Sequence, residues 1–174
     1  KELKLPIKKV KKVISKLQPL PGRGEKLIIN FDSKQKTIIV DDSYNANPAS
    51  MKAALNNFNN LKTKYDAFET VVIIGDMLEL GKNSTKIHLE LVPILKTINP
   101  SLLLTVGKYT KKINDKLNLK VDCYSYFDIN QLIKEIKQHI RPNQIVLLKG
   151  SNGTGLWKLV PIFKSIMQEN ANAA

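Results

Sequence analysis

Two hydrophobic periods alternate along the chain. In 5–17, "LPIKKVKKVISKL", Ile7, Val10, Val13, Ile14 and Leu17 recur at helical spacing, and the opposite face is lysine. "QPLPGRG" follows, with two prolines and two glycines in seven residues, the composition of a linker or sharp turn. Residues 26–31 and 36–41 are β-rich runs around "FDSKQ" and predict a hairpin.

Beyond residue 41 the periods interleave. Helices are predicted over 48–63, 84–98, 108–118, 129–140 and 155–168, and strands over 70–75, 101–106, 120–125 and 144–149. Strands separated by helices of this length require crossover connections, hence parallel pairing. "TVVIIG" and "QIVLLK" are continuous apolar runs, as expected of strands covered on both sides. The pattern predicts an α/β fold: a Rossmann-like, mostly parallel sheet of about six strands with helices on both faces and one N-terminal hairpin.

Composition narrows the class. The 174 residues are 43% hydrophobic, enough for a globular core. No apolar run approaches the ~20 residues of a membrane span, and no secretory pattern opens the chain. Cys123 is the single cysteine, so no internal disulfide forms, and a reducing cytoplasm is the expected setting. The chain begins at Lys1 rather than Met, which suggests a piece excised from a longer protein. The net charge is +13, yet only Arg23 and Arg141 are arginine. Lysine lacks the planar fork that reads base edges. The charge is therefore read as a solvated lysine surface with weak attraction for polyanions, not as specific nucleic-acid recognition; a non-catalytic basic module that binds nucleotides or nucleic acid is the reading of another class.

In open α/β sheets ligands bind beyond the carboxyl ends of the strands. Those ends are "DDSYNANP" (41–48), "GDMLELG" (75–81), "GKYTK" (107–111) and "KGSNGTG" (149–155). Asn47 before Pro48 reads as a helix N-cap followed by proline at the first helical position. Asp41 and Asp42 repel unless a cation or hydroxyl donor lies close, and one of them is placed to accept bonds from a sugar diol. Tyr44 could stack on a base or cap the core edge. Asp76 and Glu79 form either a polar rim or a pair of carboxylates aimed at an ammonium or a metal. His88 reads as a surface or capping residue. "KGSNGTG" is no Walker loop, because Lys149 precedes the glycines, but free N–H groups around 150–155 opening a helix would suit a substrate carboxylate.

"PGRGE", "DDSYNANPASMKAAL", "GDMLELG" and "LLKGSN", in this order and at these separations, closely resemble the C-terminal domain of bacterial Mur ligases over roughly residues 20–168. The resemblance is strongest to the member that adds D-alanyl-D-alanine to UDP-N-acetylmuramoyl-tripeptide. It implies a bacterial, cytoplasmic, ATP-dependent ligase of peptidoglycan synthesis. In that chemistry ATP converts the tripeptide carboxylate to an acyl phosphate, the dipeptide amine attacks, and phosphate leaves, with Mg²⁺ and lysines neutralising the phosphates. Related ligases that add single amino acids, and folylpolyglutamate synthetases, are the alternative within the superfamily.

The resemblance divides the chain into 1–20, the end of a central ATPase domain with the linker, and 21–174, the C-terminal domain. It places the UDP-sugar, the Walker loop and most Mg²⁺ binding in N-terminal and central domains, so no catalytic residue and no metal ligand is expected here. Arg23 matches the arginine that reaches the nucleotide phosphates and Asp42 the aspartate that bonds the ribose, with Asn45 and Asn47 beside the adenosine. Asp76, Glu79, Lys149, Ser151, Asn152 and Thr154 are the implied dipeptide-binding set. Relatives that carry arginine after "KGS" and a Met-Glu pair further on differ from this chain, which has Asn152, Leu156 and Trp157.

Overall fold

The structure, a computed structural model, describes residues 6–14, 19–117 and 121–171. Helix α1 (Ile7–Ile14) carries the first amphipathic stretch; residues 5 and 15–17 of the predicted helix lie outside the described residues. Strands β1 (Glu25–Asn30) and β2 (Lys36–Asp42) form the expected antiparallel hairpin. Asp32 closes it, its carboxylate accepting the N–H groups of Lys34 (2.7 Å) and Gln35 (2.6 Å).

Then follow α2 (Pro48–Lys64), β3 (Glu69–Gly75), α3 (Ser84–Leu89), α4 (Val92–Ile98), β4 (Leu102–Val106), α5 (Lys108–Leu117), β5 (Asp122–Tyr126), α6 (Ile129–His139), β6 (Gln144–Lys149) and α7 (Leu159–Ala171). Two expected helices differ from the sequence reading. The segment 84–98 is two helices, because Pro93 has no N–H to donate and its ring displaces the carbonyl four residues back; the chain turns at Glu90–Leu91 and restarts. The last helix starts at Leu159, not 155. Two short 3₁₀ turns, Asn152–Thr154 and Leu156–Lys158, precede it, separated by Gly155 in the left-handed region (φ 75°).

The six strands lie in the order β1-β2-β6-β3-β4-β5 and all pairs except β1–β2 are parallel. Alternate residues of β3 serve different cores. Val71 and Ile73 join Leu132, Leu159 and Phe163 under α6 and α7; Val72 and Ile74 join Met51, Leu55, Leu95 and Ile113 under α2, α4 and α5. The helices of connections running one way along the sheet share a face, and the return from β5 to β6 lies on the other, as right-handed crossovers demand. Because β6 sits between β2 and β3 but leaves toward the opposite face, the loops after these three strands diverge around a crevice.

Phe163 is fully buried in the core beneath α6 and α7. Phe163→Ala should cost about 3–5 kcal/mol of unfolding free energy, measured by urea titration of the chain.

Candidate functional site

The acidic pair at the end of β2 is neutralised residue by residue. Asp41 is buried and accepts the Ser43 hydroxyl (2.6 Å) and backbone N–H (3.1 Å). Asp42, on the other side of the strand, pairs with Lys149 Nζ at 3.0 Å. The strand register sets Asp42 directly beside Lys149 on β6. Lys149 also donates to the backbone carbonyls of Asn45 (2.6 Å) and Asp42 (3.3 Å), so one buried ammonium fixes both ends of the turn. Asn47 caps α2 as expected. Its side chain accepts the Ser50 N–H (2.8 Å), and the Ser50 hydroxyl accepts the Asn47 N–H (3.0 Å). Asn45 folds back on Ala46 N–H (2.8 Å).

The linker glycines bring "PGRG" against this turn. Gly22, in the left-handed region (φ 70°), accepts the Tyr44 N–H at 2.9 Å, and a Cβ there would meet Tyr44 backbone and Cβ atoms. Gly24 donates to Asp41 O (2.8 Å). Between them Arg23 projects outward with its guanidinium 4.1 Å from the Tyr44 ring centroid. Arg23, Asp42, Tyr44, Asn45, Asn47 and Lys149 are among the residues lining a cleft of about 250 Å³.

A larger cleft, about 570 Å³, adjoins it across Tyr44–Asn47; its far walls are Leu78–Leu80 and Ser151–Gly153. Ser151 ties those walls together. Its hydroxyl donates to Ala46 O (3.3 Å) and accepts the Leu78 N–H (2.9 Å), and its own N–H donates to Asp76 O (3.1 Å). Glu79 lies on the rim with a left-handed backbone (φ 64°), uncommon for a non-glycine residue, and is exposed. Asn152 and Gly153 open a 3₁₀ turn, whose first N–H groups have no partner within it.

Several sequence expectations change here. Asp76 is buried and serves α5: its carboxylate accepts the N–H groups of Tyr109 (3.1 and 3.2 Å) and Thr110 (2.8 Å) and the Thr110 hydroxyl (3.0 Å). That placement requires Gly107 (φ 118°), since a Cβ there would fall on the carboxylate. His88 is no surface residue. It is fully buried, donates from Nδ1 to Ser84 O (2.6 Å) and accepts the Met77 N–H at Nε2 (2.8 Å). This is the tautomer protonated on Nδ1, so its 3.9 Å approach to Asp76 is not an ion pair. Lys149 is consumed by the turn. Around 150–155 the N–H groups of Ser151, Thr154 and Gly155 are spent on Asp76, Ser151 and Asn152, and no α-helix opens there; the expected nest narrows to Asn152 and Gly153. Thr154 donates to Ser151 O (2.6 Å) and packs on Gly75.

Of the residues picked from sequence, Arg23, Asp42, Asn45, Asn47 and Lys149 share one cleft; Asn45, Asn47, Glu79, Ser151 and Asn152 share the other. Asp76 and Thr154 line neither. Sequence reasoning passed over a third cleft of about 430 Å³ on the other side of the 76–81 loop, where Ser84, Lys108, Tyr109 and the exposed Phe127 meet. The Tyr109 phenol is held below its ordinary range by the neighbouring Ser84 hydroxyl first and then by the Lys108 ammonium. The "GKYT" at the end of β4 marked its edge, but nothing local announces that Phe127 arrives from β5.

The family described as Mur ligase, glutamate ligase domain, matches residues 22–152. The UDP-N-acetylmuramoyl-tripeptide–D-alanyl-D-alanine ligase of Rickettsia prowazekii is 38% identical over 143 residues, 82% of this chain and 30% of that protein. The protein of the same name from Escherichia coli K12 is 28% identical over 163 residues, 92% of this chain and 32% of that protein. The chain thus spans about a third of the length of these curated relatives. Among solved structures, MurF from Acinetobacter baumannii superposes with a TM-score of 0.68 at 22% identity, covering 94% of this chain and 34% of that one. MurF from Thermotoga maritima in complex with ADP gives 0.58 at 19% identity, covering 92% and 36%. At these identities the structures speak for the fold alone.

Asp76→Ala should lower the chain's stability by roughly 1–3 kcal/mol, because the N–H groups of Tyr109 and Thr110 lose their acceptor. Chemical denaturation of the isolated chain measures it, with no ligand present.

Proposed function

This chain belongs to the Mur ligase family, and on that footing we propose that it is the C-terminal part of a longer ATP-dependent ligase that joins D-alanyl-D-alanine to UDP-N-acetylmuramoyl-tripeptide in peptidoglycan synthesis. In this reading residues 1–20 are the end of a central ATPase domain and the linker, and 21–174 form the C-terminal domain. The observation that supports it is the shared wall Tyr44–Asn47 between two polar clefts, an arrangement that suits a nucleotide beside an amine donor.

ATP supplies the phosphoryl group that activates the tripeptide carboxylate. The residues of this chain suit its nucleoside end. One oxygen of Asp42 pairs with Lys149, and the other makes no hydrogen bond among the described residues, which suits a ribose diol. The exposed guanidinium of Arg23, steadied over Tyr44, suits phosphate oxygens. Asn45 and Asn47 each spend their side-chain oxygen locally and keep an amide NH₂ for the adenosine side. In this reading Mg²⁺ is bound mainly by the central domain that the family resemblance implies.

The neighbouring cleft suits the dipeptide. The Glu79 carboxylate, unpaired among the described residues, suits the ammonium, and the N–H groups of Asn152 and Gly153, unspent within the 3₁₀ turn, suit the carboxylate. Ser151 shapes the cleft by holding its two walls. Here the chain's contribution is to bind and orient: it brings the amine toward the activated carbonyl and excludes water as the domains close.

The isolated chain should show no ATP-dependent ligation, whereas the longer protein that contains it should. In that protein Asp42→Ala should raise KM for ATP by roughly tenfold or more, Arg23→Ala should lower the ligation rate strongly, and Glu79→Gln should raise KM for D-alanyl-D-alanine. Phosphate release with each substrate varied in turn checks all three. Turnover with a single amino acid but not the dipeptide would replace this substrate with another of the superfamily.

A further inference from the structure

We infer that Lys149 is a positioning residue for the nucleotide, aiming the Asp42 carboxylate and fixing the turn after β2, and that it is not a ligand of the dipeptide. The inference rests on the ribose role proposed for Asp42.

Three observations carry it. The Lys149 side chain is 3% exposed and lines the smaller, nucleotide-side cleft but not the larger one. The ammonium donates hydrogen bonds to Asn45 O at 2.6 Å and Asp42 O at 3.3 Å and forms an ion pair with Asp42 Oδ2 at 3.0 Å. A dipeptide carboxylate could be bound only by breaking these bonds and exposing the carbonyls they satisfy. Finally, Asp42 lies opposite Lys149 in the parallel register of β2 and β6, so the pairing is set by the sheet rather than by a flexible loop.

The consequence for Asp42 is electrostatic. It follows the buried carboxylate of Asp41 directly and is itself partly covered, with 28% of its side chain exposed. Without a cation beside it, its carboxylate would turn toward water and away from the cleft. Lys149 holds one oxygen and leaves the other facing the nucleotide side. The carbonyl of Asn45, held by the same ammonium, keeps Tyr44 and Asn45 in the wall that both clefts share.

The test compares ATP with 2′,3′-dideoxy-ATP in the longer ligase that contains this chain. The unaltered enzyme should prefer ATP in kcat/KM by roughly tenfold or more, the scale of a charge-assisted bond to a hydroxyl. Lys149→Met should reduce that preference toward unity and raise KM for ATP more than KM for D-alanyl-D-alanine; Lys149→Arg, which keeps the charge, should restore part of the preference. In the Asp42→Asn background, adding Lys149→Met leaves no unpaired charge and should reduce the preference no further. Equal losses with both nucleotides, additive effects in the double variant, or a raised KM for the dipeptide with the ATP preference intact would each overturn the inference. If neither the unaltered enzyme nor Asp42→Ala distinguishes the two nucleotides, the ribose reading itself fails and takes this inference with it.

Discussion

The arrangement depends on the insertion of β6 between β2 and β3. All six residues of β6 are buried, and it pairs in parallel with both neighbours. Its register places Lys149 beside Asp42 on one side and Ile74 on the other, and the chain then passes so close to β3 that a Cβ on Gly150 would lie 2.9 Å from Gly75 Cα. Glycine at both positions is what lets three strand ends converge. From that convergence follow the contacts of Ser151 with Ala46, Asp76 and Leu78, and with them the walls of the larger cleft.

The crevice is expensive in buried polar groups, and the structure meets each with a partner. Asp41 has a hydroxyl and an N–H; Lys149 has two carbonyls and a carboxylate; Asp76 has the start of a helix; His88 uses both ring nitrogens. A group left without such partners inside the protein would cost about 1–3 kcal/mol or more. What remains on the rim is a short set of groups with donor or acceptor capacity to spare: Arg23, one oxygen of Asp42, Glu79, and the N–H groups of Asn152 and Gly153. Rigid framing of a few open groups is how a fold of this kind presents a polar ligand site.

The elements were legible because their periods differ: unbroken apolar runs gave β3 and β6, and Asn47–Pro48 gave the start of α2. The boundary at Leu159 and the break before Pro93 were missed because a helical period of apolar residues continues across both. The strand order was not readable, since nothing local in "QIVLLK" says which strands it will separate. The site divided along the same line. Arg23, Asp42 and Glu79, singled out by motif, line the clefts with open polar groups. Lys149 and Asp76 look available at their strand ends in the sequence, but their partners, about a hundred and about thirty residues away, are in place in the structure. The third cleft escaped because its lining residues come from three separate loops.

The central position of β6 also governs the order in which the protein can assemble. As the chain leaves the ribosome, the β1–β2 hairpin emerges about a hundred residues before the strand that joins it to the rest of the sheet. Until then the inner edges of β2 and β3 have no partner, and contacts this distant in sequence form slowly. The nascent chain therefore passes through a stage with two open, apolar sheet edges, the kind of surface that chaperones protect and that aggregates when it is not protected. The last strand, with the loop and α7 that follow it, completes the core and the clefts together, so a chain that stopped before β6 would lack both.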